Sequence, residues 1–284
     1  MDAPPPQEDC RPFVQIADYL EEMGLNSPRV LQADLERGFL LLSDLGSLQY
    51  LSAIERQPRH AAALYMDAID ALLLMQAKGV NVQGELPPYD AALLRFEISL
   101  FHDWLCERHL QITFSADEES RWQDCCDALV ENALDQPQVF VHRDYHSRNL
   151  MVTDLNNPGI LDFQDAVEGP LTYDLVSLLK DCYIKWPVEQ ILQWALYFRE
   201  YSGAAAQLER DYFLRAFSLT GVHRHLKAAG IFARLLHRDN KPGYLKDVPR
   251  TLAYIVDIAP RYESLHFLGD FIRHRVLPAL SERS

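Results

Sequence analysis

Apolar residues recur at helical spacing over most of this chain, and short β-like runs interrupt them near its start. A first helix is predicted over residues 8–23, where Gly24 would end it. Two β-like runs follow at residues 29–33 and 38–43, joined by a polar turn at 34–37. The pattern therefore predicts one helix and a two-stranded hairpin with an unpaired edge.

The rest of the chain is predicted to be mainly helical. Three helices are indicated over residues 60–78, 90–109 and 117–134. Two short apolar strands, 150–152 and 159–161, then flank a polar Asn-Asn-Pro-Gly turn. After this hairpin the pattern is helical to the end, with a helix start near residues 170–172 and breaks at Gly203, Gly243 and Pro260. This layout predicts an α+β fold with a large helical part.

The polar residues at the ends of the short hairpin carry the candidate chemistry. His142-Arg143-Asp144, four residues and then Asn149 match the catalytic loop of kinases, and Asp162-Phe163-Gln164 stands where such enzymes carry a second metal-binding Asp. In that pattern Asp144 accepts the proton of the attacking hydroxyl, while Asn149 and Asp162 hold Mg²⁺ against the ATP phosphates. The hairpin should bring Asn149 and Asp162 side by side. The alternative is two unrelated polar turns, which would require three ordered elements to match by chance.

Composition and charge exclude several classes of function. The chain has 284 residues, 48% of them hydrophobic, and no apolar run approaches the roughly 20 residues that span a bilayer. A net charge of −14 argues against nucleic acid or an anionic membrane as partner. Five cysteines without a Cys-x-x-Cys motif, and an acidic, Pro-rich start unlike a signal peptide, favour reduced thiols and a cytoplasmic location. The oligomeric state stays open.

Several segments resemble the aminoglycoside phosphotransferase-like branch of the kinase fold. They lie at residues 1–5, 8–13, 38–46, 144–151, 161–166, 173–179, 224–227 and 230–235. Within this branch the chain resembles the bacterial kinases that phosphorylate the anomeric hydroxyl of N-acetylmuramate and N-acetylglucosamine in cell-wall (peptidoglycan) recycling. The resemblance implies a protein-kinase-like bilobal α+β fold, ATP and Mg²⁺ as cofactors, and a small amino sugar as acceptor.

The resemblance also implies a division into two lobes. Residues 1–46 would form part of the N-lobe and the hinge, and residues 47–284 a helical C-lobe that carries the catalytic hairpin at 139–165. A kinase N-lobe opens with a Gly-rich loop and a phosphate-binding Lys, whereas the first lysine here is Lys78 and no Gly-x-Gly precedes it. We therefore expect the first N-lobe strands to be missing from this sequence and ATP to bind weakly. A kinase-like scaffold with little catalysis is the alternative.

Further site residues follow from the resemblance. Ser43 and Leu45 at the hinge would offer backbone groups to adenine. Asp174 would accept hydrogen bonds from the catalytic-loop backbone, or would simply be an acidic first-turn residue of its helix. His146 and Arg148 lie between the base and the metal ligand and are candidates for substrate binding. His146 would steer the loop by hydrogen bonding, and Arg148 would neutralise phosphate or a substrate carboxylate; the alternative is a structural histidine and a solvated arginine.

Two weaker candidates complete the predicted substrate side. Asp165 would bind a substrate hydroxyl, and Arg224 would line the substrate side or belong to a solvated helix face. Protein kinases insert an activation segment after the metal-binding Asp, whereas here a helix starts about a dozen residues after Asp162. The acceptor is therefore expected to be a small molecule: an amino sugar, or otherwise an aminoglycoside, choline or another hydroxylated metabolite.

Overall fold

The computed structural model describes residues 1–3 and 9–283. The predicted start of the first helix at Glu8 lies outside the described residues. The chain divides into two compact units. Unit 1 comprises Met1–Pro88 and Pro137–Glu209, and unit 2 comprises Tyr89–Gln136 and Arg210–Ser284. The predicted lobe boundary at residue 46 stays a prediction.

Helices dominate the described residues, and the strands are short. In chain order the helices are α1 (Arg11–Glu22), α2 (Tyr50–Arg56), α3 (Ala61–Gly79), α4 (Ala91–Leu100), α5 (Ala116–Leu134), α6 (Tyr173–Leu179), α7 (Val188–Tyr201), α8 (Arg210–Asp239), α9 (Val248–Ile258), α10 (His266–Phe271) and α11 (Leu277–Glu282). The strands are β1 (Val30–Asp34), β2 (Phe39–Leu42), β3 (Gln138–Val141), β4 (Leu150–Met151), β5 (Gly159–Ile160) and β6 (Val167–Pro170).

The predicted first helix and hairpin of unit 1 are confirmed from Arg11 onwards. Helix α1 buries one apolar face, and β1 pairs with β2 in antiparallel register from Val30↔Leu42 to Asp34↔Phe39. Residues 1–3 follow the other edge of β2: the Ala3 N–H donates to the Gly38 carbonyl at 2.9 Å, and the Leu40 N–H donates to the Met1 carbonyl at 3.1 Å. Strand β2 therefore has a neighbour on both sides, which the expected two-stranded hairpin did not include.

The short hairpin around the candidate site is also confirmed. Strands β4 and β5 pair antiparallel, Leu150 with Ile160 and Met151 with Gly159. The expectation of helical structure after the hairpin is wrong at residues 167–170, because β6 pairs antiparallel with β3. Gly and Pro at the end of β6 are poor strand formers, so this strand depends on its pairing with β3 rather than on local preference.

The regular elements in the described part of unit 2 are all helices. The helix predicted over residues 90–109 changes geometry within its length: α4 is an α-helix, and Phe101–His109 continues it as a π-helix. The long helix α8 approaches this junction at Gly230, where an added Cβ would lie 2.2 Å from the Leu100 carbonyl carbon. Only glycine permits this approach between two helix backbones.

Two expectations about the whole chain can be compared with the described residues. Residues Cys10, Cys106, Cys125, Cys126 and Cys182 are free thiols, as the odd number of cysteines suggested. In the part of the chain that the structure describes, no helix combines the length and the apolar character needed to cross a bilayer.

Candidate active site

The β4–β5 hairpin places Asn149 and Asp162 next to each other at its open end. The Asn149 Nδ2 donates to Asp162 Oδ2 at 3.0 Å and to the Asp144 carbonyl at 3.0 Å, and the Leu161 N–H donates to the Asn149 carbonyl at 2.9 Å. Because both amide hydrogens of Asn149 are used, its Oδ1 is the atom left to act as a ligand. An amide oxygen beside an exposed carboxylate is a donor set that suits Mg²⁺.

The turn that presents Asp162 has an uncommon backbone conformation. Asp162 has φ +63°, in the left-handed region that non-glycine residues seldom adopt. The next residue, Phe163, is fully buried and packs on Phe13 of α1, with ring centroids 4.7 Å apart. Gln164 Nε2 donates to Asp162 Oδ1 at 3.0 Å. The buried ring and the polar contact together hold the strained turn, a feature that occurs often at functional sites.

The candidate base Asp144 lies on a loop with its own hydrogen bonds. The Asp144 N–H donates to Nδ1 of His142 at 3.3 Å, and the Asp144 carbonyl accepts from the His146 N–H at 3.0 Å. His142 is completely buried, and burial lowers its pKa to about 4 in spite of the nearby carboxylates Asp144 and Asp162. The imidazole is therefore neutral near pH 7, which leaves Nδ1 able to accept the Asp144 N–H.

Asp174 of α6 holds the first residues of this loop. Its side chain is fully buried, with Oδ2 accepting the His142 N–H at 2.6 Å and Oδ1 accepting the Arg143 N–H at 3.0 Å. Arg143 has φ +75°, so the carboxylate stabilises a second strained backbone position. Asp174 makes the expected backbone contact and also lies in the first turn of α6, so both interpretations describe it, and its role in supporting the loop stays a prediction.

A second buried carboxylate contacts the same loop, and no motif in the sequence singled it out. Asp181 follows α6 and is 1% exposed. Its Oδ2 accepts the Ser147 N–H at 3.1 Å and also the Ser147 hydroxyl, and its Oδ1 accepts the Tyr183 N–H at 2.9 Å. In the sequence, Asp181 is marked only by its neighbour Lys180 and by the apolar helix before it. A charged pair in that position is more typical of a protein surface than of a buried contact.

The aromatic ring of Tyr183 lies against both His146 and Arg148. The His146 ring meets it edge-on with centroids 5.7 Å apart, and the Arg148 guanidinium lies 4.7 Å from the ring centroid. Burial raises the pKa of Tyr183 to about 12, although Arg148 acts in the opposite direction. Both residues are therefore held by protein contacts, whatever each contributes to substrate binding.

The predicted hinge residues form part of the end of the β1–β2 hairpin. The Ser43 N–H donates to the Arg29 carbonyl at 2.9 Å, and Ser43 Oγ accepts the Arg29 N–H at 2.9 Å. The Ser43 N–H is thus already used, which leaves its carbonyl for a ligand. Leu45 packs close to Gly159, since an added Cβ there would lie 3.0 Å from Leu45 Cδ1. A groove of about 400 Å³ borders Leu45 and residues 152–155.

The two weaker substrate candidates lie in different units. Asp165 is exposed in unit 1, and its carbonyl accepts from Nη1 of Arg143 at 3.4 Å. Arg224 is half-buried on α8 in unit 2. Their predicted roles, like those of the other candidate site residues, stay predictions.

Comparison with known proteins decides the family. Residues 1–214 match the phosphotransferase enzyme family, APH. The chain belongs to this family. It is 50% identical to the N-acetylmuramate/N-acetylglucosamine kinase of Pseudomonas aeruginosa over 276 residues, which are 96% of this chain and 80% of that protein. The protein of the same name from Neisseria meningitidis is 40% identical over 93% of this chain and 79% of its own length.

Solved structures with a similar fold also belong to small-molecule kinases. The choline kinase LicA of Streptococcus pneumoniae has a TM-score of 0.59 at 12% identity, covering 86% of this chain and 79% of that one. The gentamicin complex of APH(2'')-IIa has a TM-score of 0.60 at 14% identity, covering 92% and 85%. At such identities the likeness concerns the fold alone. It confirms the predicted kinase-like α+β fold, and the family match confirms the predicted phosphotransferase enzyme.

Proposed function

We propose that this family member is an ATP-dependent kinase that phosphorylates the anomeric hydroxyl of N-acetylmuramate and N-acetylglucosamine in the cytoplasm. The observation that carries the proposal is the 50% identity, over 96% of the chain, to a kinase named for these two sugars. The side-by-side placement of Asn149 and Asp162, five and eighteen residues after Asp144, supports phosphoryl transfer as the reaction.

The proposed chemistry needs little beyond positioning and charge. The Asp144 carboxylate would accept the proton of the anomeric hydroxyl as the hydroxyl oxygen bonds to the γ-phosphorus. The bond from this phosphorus to the β–γ bridging oxygen would break, and ADP would leave. Asn149 Oδ1 and the Asp162 carboxylate would hold Mg²⁺, which supplies positive charge that stabilises the phosphate oxygens. His142, whose backbone precedes the base by two residues, is neutral near pH 7 because burial lowers its pKa to about 4. It therefore adds no positive charge beside the Asp144 carboxylate at that pH.

The nucleotide would lie between the hinge and the catalytic hairpin. The Ser43 carbonyl would accept from the adenine amino group, and the Leu45 N–H would donate to an adenine ring nitrogen. Ser43 keeps this carbonyl available because its N–H and hydroxyl are the groups that pair with Arg29.

The acceptor would be recognised by polar residues near the base. Arg148 carries a permanent charge that would attract the carboxylate of N-acetylmuramate, and its stacking on Tyr183 limits its freedom before substrate binds. His146 and Asp165 are the further candidates for hydroxyl and acetamido groups of the sugar.

The test is a panel of acceptors with the 284-residue chain and a large excess of Mg-ATP, because this chain is expected to bind the nucleotide weakly. Both amino sugars should be phosphorylated, whereas the methyl glycoside of N-acetylglucosamine, whose anomeric oxygen is blocked, should not. Asp144→Asn serves as the inactive control. Transfer to the methyl glycoside, or transfer only to gentamicin or choline, would show that the acceptor or its hydroxyl is wrong. Nucleotide binding without transfer to any acceptor would favour the kinase-like scaffold.

A further inference from the structure

Two buried carboxylates on one segment contact two different parts of the catalytic loop. Asp174, in the first turn of α6, accepts the N–H groups of residues 142 and 143. Asp181, seven residues later, accepts from Ser147. The first contact precedes the candidate base Asp144, and the second falls between that base and the metal ligand Asn149. The first is the backbone contact that the resemblance predicted, whereas the second has no role assigned to it so far.

The contacts of Asp181 are those of a positioning group rather than of a surface charge. Ser147 is fully buried and gives Asp181 both its N–H and its hydroxyl. The carboxylate also accepts the Tyr183 N–H at 2.9 Å, so three donors surround a side chain that is 1% exposed. A buried charge with several hydrogen bonds is strongly oriented, because any rotation would leave donors unpaired in a dry environment.

The same short segment also holds the residues on either side of Ser147. The Tyr183 ring contacts His146 at 5.7 Å between centroids and Arg148 at 4.7 Å from the guanidinium. Among the described residues, Nδ1 of His146 is buried and lacks a hydrogen-bond partner, so on that side the ring is held by packing. Residues 181–183 therefore touch each of the three consecutive loop residues 146–148.

The loop needs an external support of this kind. Between Asp144 and Asn149 its own backbone hydrogen bonds are two tight turns, His146 N–H to the Asp144 carbonyl at 3.0 Å and Asn149 N–H to the His146 carbonyl at 2.9 Å. Neither turn includes a hydrogen bond from Ser147. Residues 49 and 51 also contact this part of the loop, but only at carbonyls: the Leu51 N–H donates to the Ser147 carbonyl at 3.0 Å, and Gln49 Nε2 donates to the Arg148 carbonyl at 2.8 Å. Loss of Asp181 would leave the Ser147 N–H and hydroxyl unpaired in a buried place, and the distance between base and metal ligand would change as they moved toward water.

We propose that Asp181 and Tyr183 are positioning residues for phosphoryl transfer, which set the spacing between Asp144 and Asn149 by fixing residues 146–148. The kinetic part of this inference rests on the proposed function. The positioning acts on the catalytic step, in which displacement by about 1 Å can cost on the order of 100-fold in rate. It should have much less influence on the binding of Mg-ATP and of N-acetylglucosamine, which has no carboxylate for Arg148 to attract.

The kinetic test compares Asp181→Asn with Asp70→Asn. The amide introduced by Asp181→Asn would present an NH₂ group where three N–H and O–H donors converge. We therefore expect kcat to fall by about 10- to 100-fold, with the KM values for Mg-ATP and N-acetylglucosamine changed by less than about threefold. The control Asp70 carries a carboxylate in the same unit that accepts from the Tyr197 hydroxyl at 2.9 Å, and its variant should keep wild-type kcat. The proposal would be overturned if Asp181→Asn raised KM by about 10- to 100-fold and left kcat unchanged.

A second pair of variants separates the contribution of the Tyr183 ring to kcat from that of its hydroxyl. Tyr183→Phe keeps the surface against His146 and Arg148 and should retain most of kcat, whereas Tyr183→Leu should lower it by about tenfold. Equal kcat values for the two variants would remove Tyr183 from the proposal. If Asp181→Asn does not fold, Ser147→Ala takes its place: it removes one of the two bonds to Asp181 and should lower kcat by less than about tenfold, with KM unchanged.

Hydrogen exchange tests the positioning without any need for catalysis. In the protein without substrates, amides of residues 142–149 should exchange at least about tenfold faster in Asp181→Asn than in the wild type, and at the wild-type rate in Asp70→Asn. Unchanged exchange in the loop, or faster exchange spread evenly over the whole of unit 1, would overturn the proposal. If the wild type phosphorylates neither sugar, the proposed function fails, and the exchange rates still decide whether Asp181 holds the loop.

Discussion

Burial strongly lowers the pKa of two histidines, which should make this protein unusually sensitive to mild acid. His142 lies in unit 1 and His223 on α8 in unit 2, and burial lowers the pKa of each from 6.5 to about 4. Nearby Glu97 acts against this shift at His223, and Lys227, which pairs with Glu97 at 2.8 Å, adds to it. In both cases burial is the largest cause, so the folded protein keeps these side chains neutral well below the pH at which the unfolded chain would protonate them.

The sign and size of the effect follow from linkage. Because the folded pKa is depressed, each histidine contributes its full stability above the unfolded pKa, and that stability is lost as the pH falls from about 6.5 toward 4. Between about pH 7.5 and pH 5 the loss is about 2 kcal/mol for each histidine, or about 4 kcal/mol for both. Since domains are typically stable by about 5–15 kcal/mol, this is a large fraction of the total.

Urea denaturation followed by circular dichroism at several pH values measures this loss. Glu118 adds little over this range: hydrogen bonds from Ser115 and Arg275 lower its pKa from 4.5 to about 2, and the stability linked to that shift is lost mainly below pH 4.5. His223→Gln cannot titrate and should lose about half of the pH dependence, whereas His60→Gln, at an exposed position, should keep all of it. A wild-type stability that changes by less than about 1 kcal/mol, or an unaltered pH dependence in His223→Gln, would refute the reasoning.

Three further predictions concern the site, the nucleotide and the helix crossing. Asp144→Asn should lower kcat by about 1000-fold or more with little change in nucleotide affinity, whereas Asp162→Asn should weaken Mg-ATP binding as well as turnover. Calorimetry measures the affinity and initial rates measure the turnover of each variant. Near-normal turnover of Asp144→Asn would contradict the assignment of the base. Residues 1–284 should bind Mg-ATP weakly, because no lysine precedes residue 78; tight binding in calorimetry would contradict this. Gly230→Ala should cost about 2–4 kcal/mol of stability, since its Cβ would meet the Leu100 backbone, while Gly203→Ala, with nothing within 4 Å of its Cβ, should be close to neutral in thermal unfolding.

Most of the candidate site could be predicted from the sequence because its residues lie close together along the chain. Asn149 and Asp162 are brought together by a hairpin whose turn and strands all lie within the same short stretch, and the structure has the two side chains 3.0 Å apart. The amphipathic helix α1 could be predicted for a similar reason, since its buried face follows from the spacing of its apolar residues alone.

Other features depend on residues far apart in the chain, and no local pattern could reveal them. Strand β6 exists because β3 lies beside it, although its own sequence favours a turn. The change from α4 to a π-helix and the need for glycine at position 230 both arise where α8 meets residues 100–101.

The sequence by itself determined the chemistry: which carboxylate and amide groups are present, and in what order along a short hairpin. The tertiary structure decided how that chemistry is held. Ser147 and Asp181 are 34 residues apart, and nothing in the spacing of either residue indicates that they form a buried pair. Hydrogen bonds between distant segments are specified only when the whole chain packs, because only packing removes the water that would otherwise satisfy each group separately.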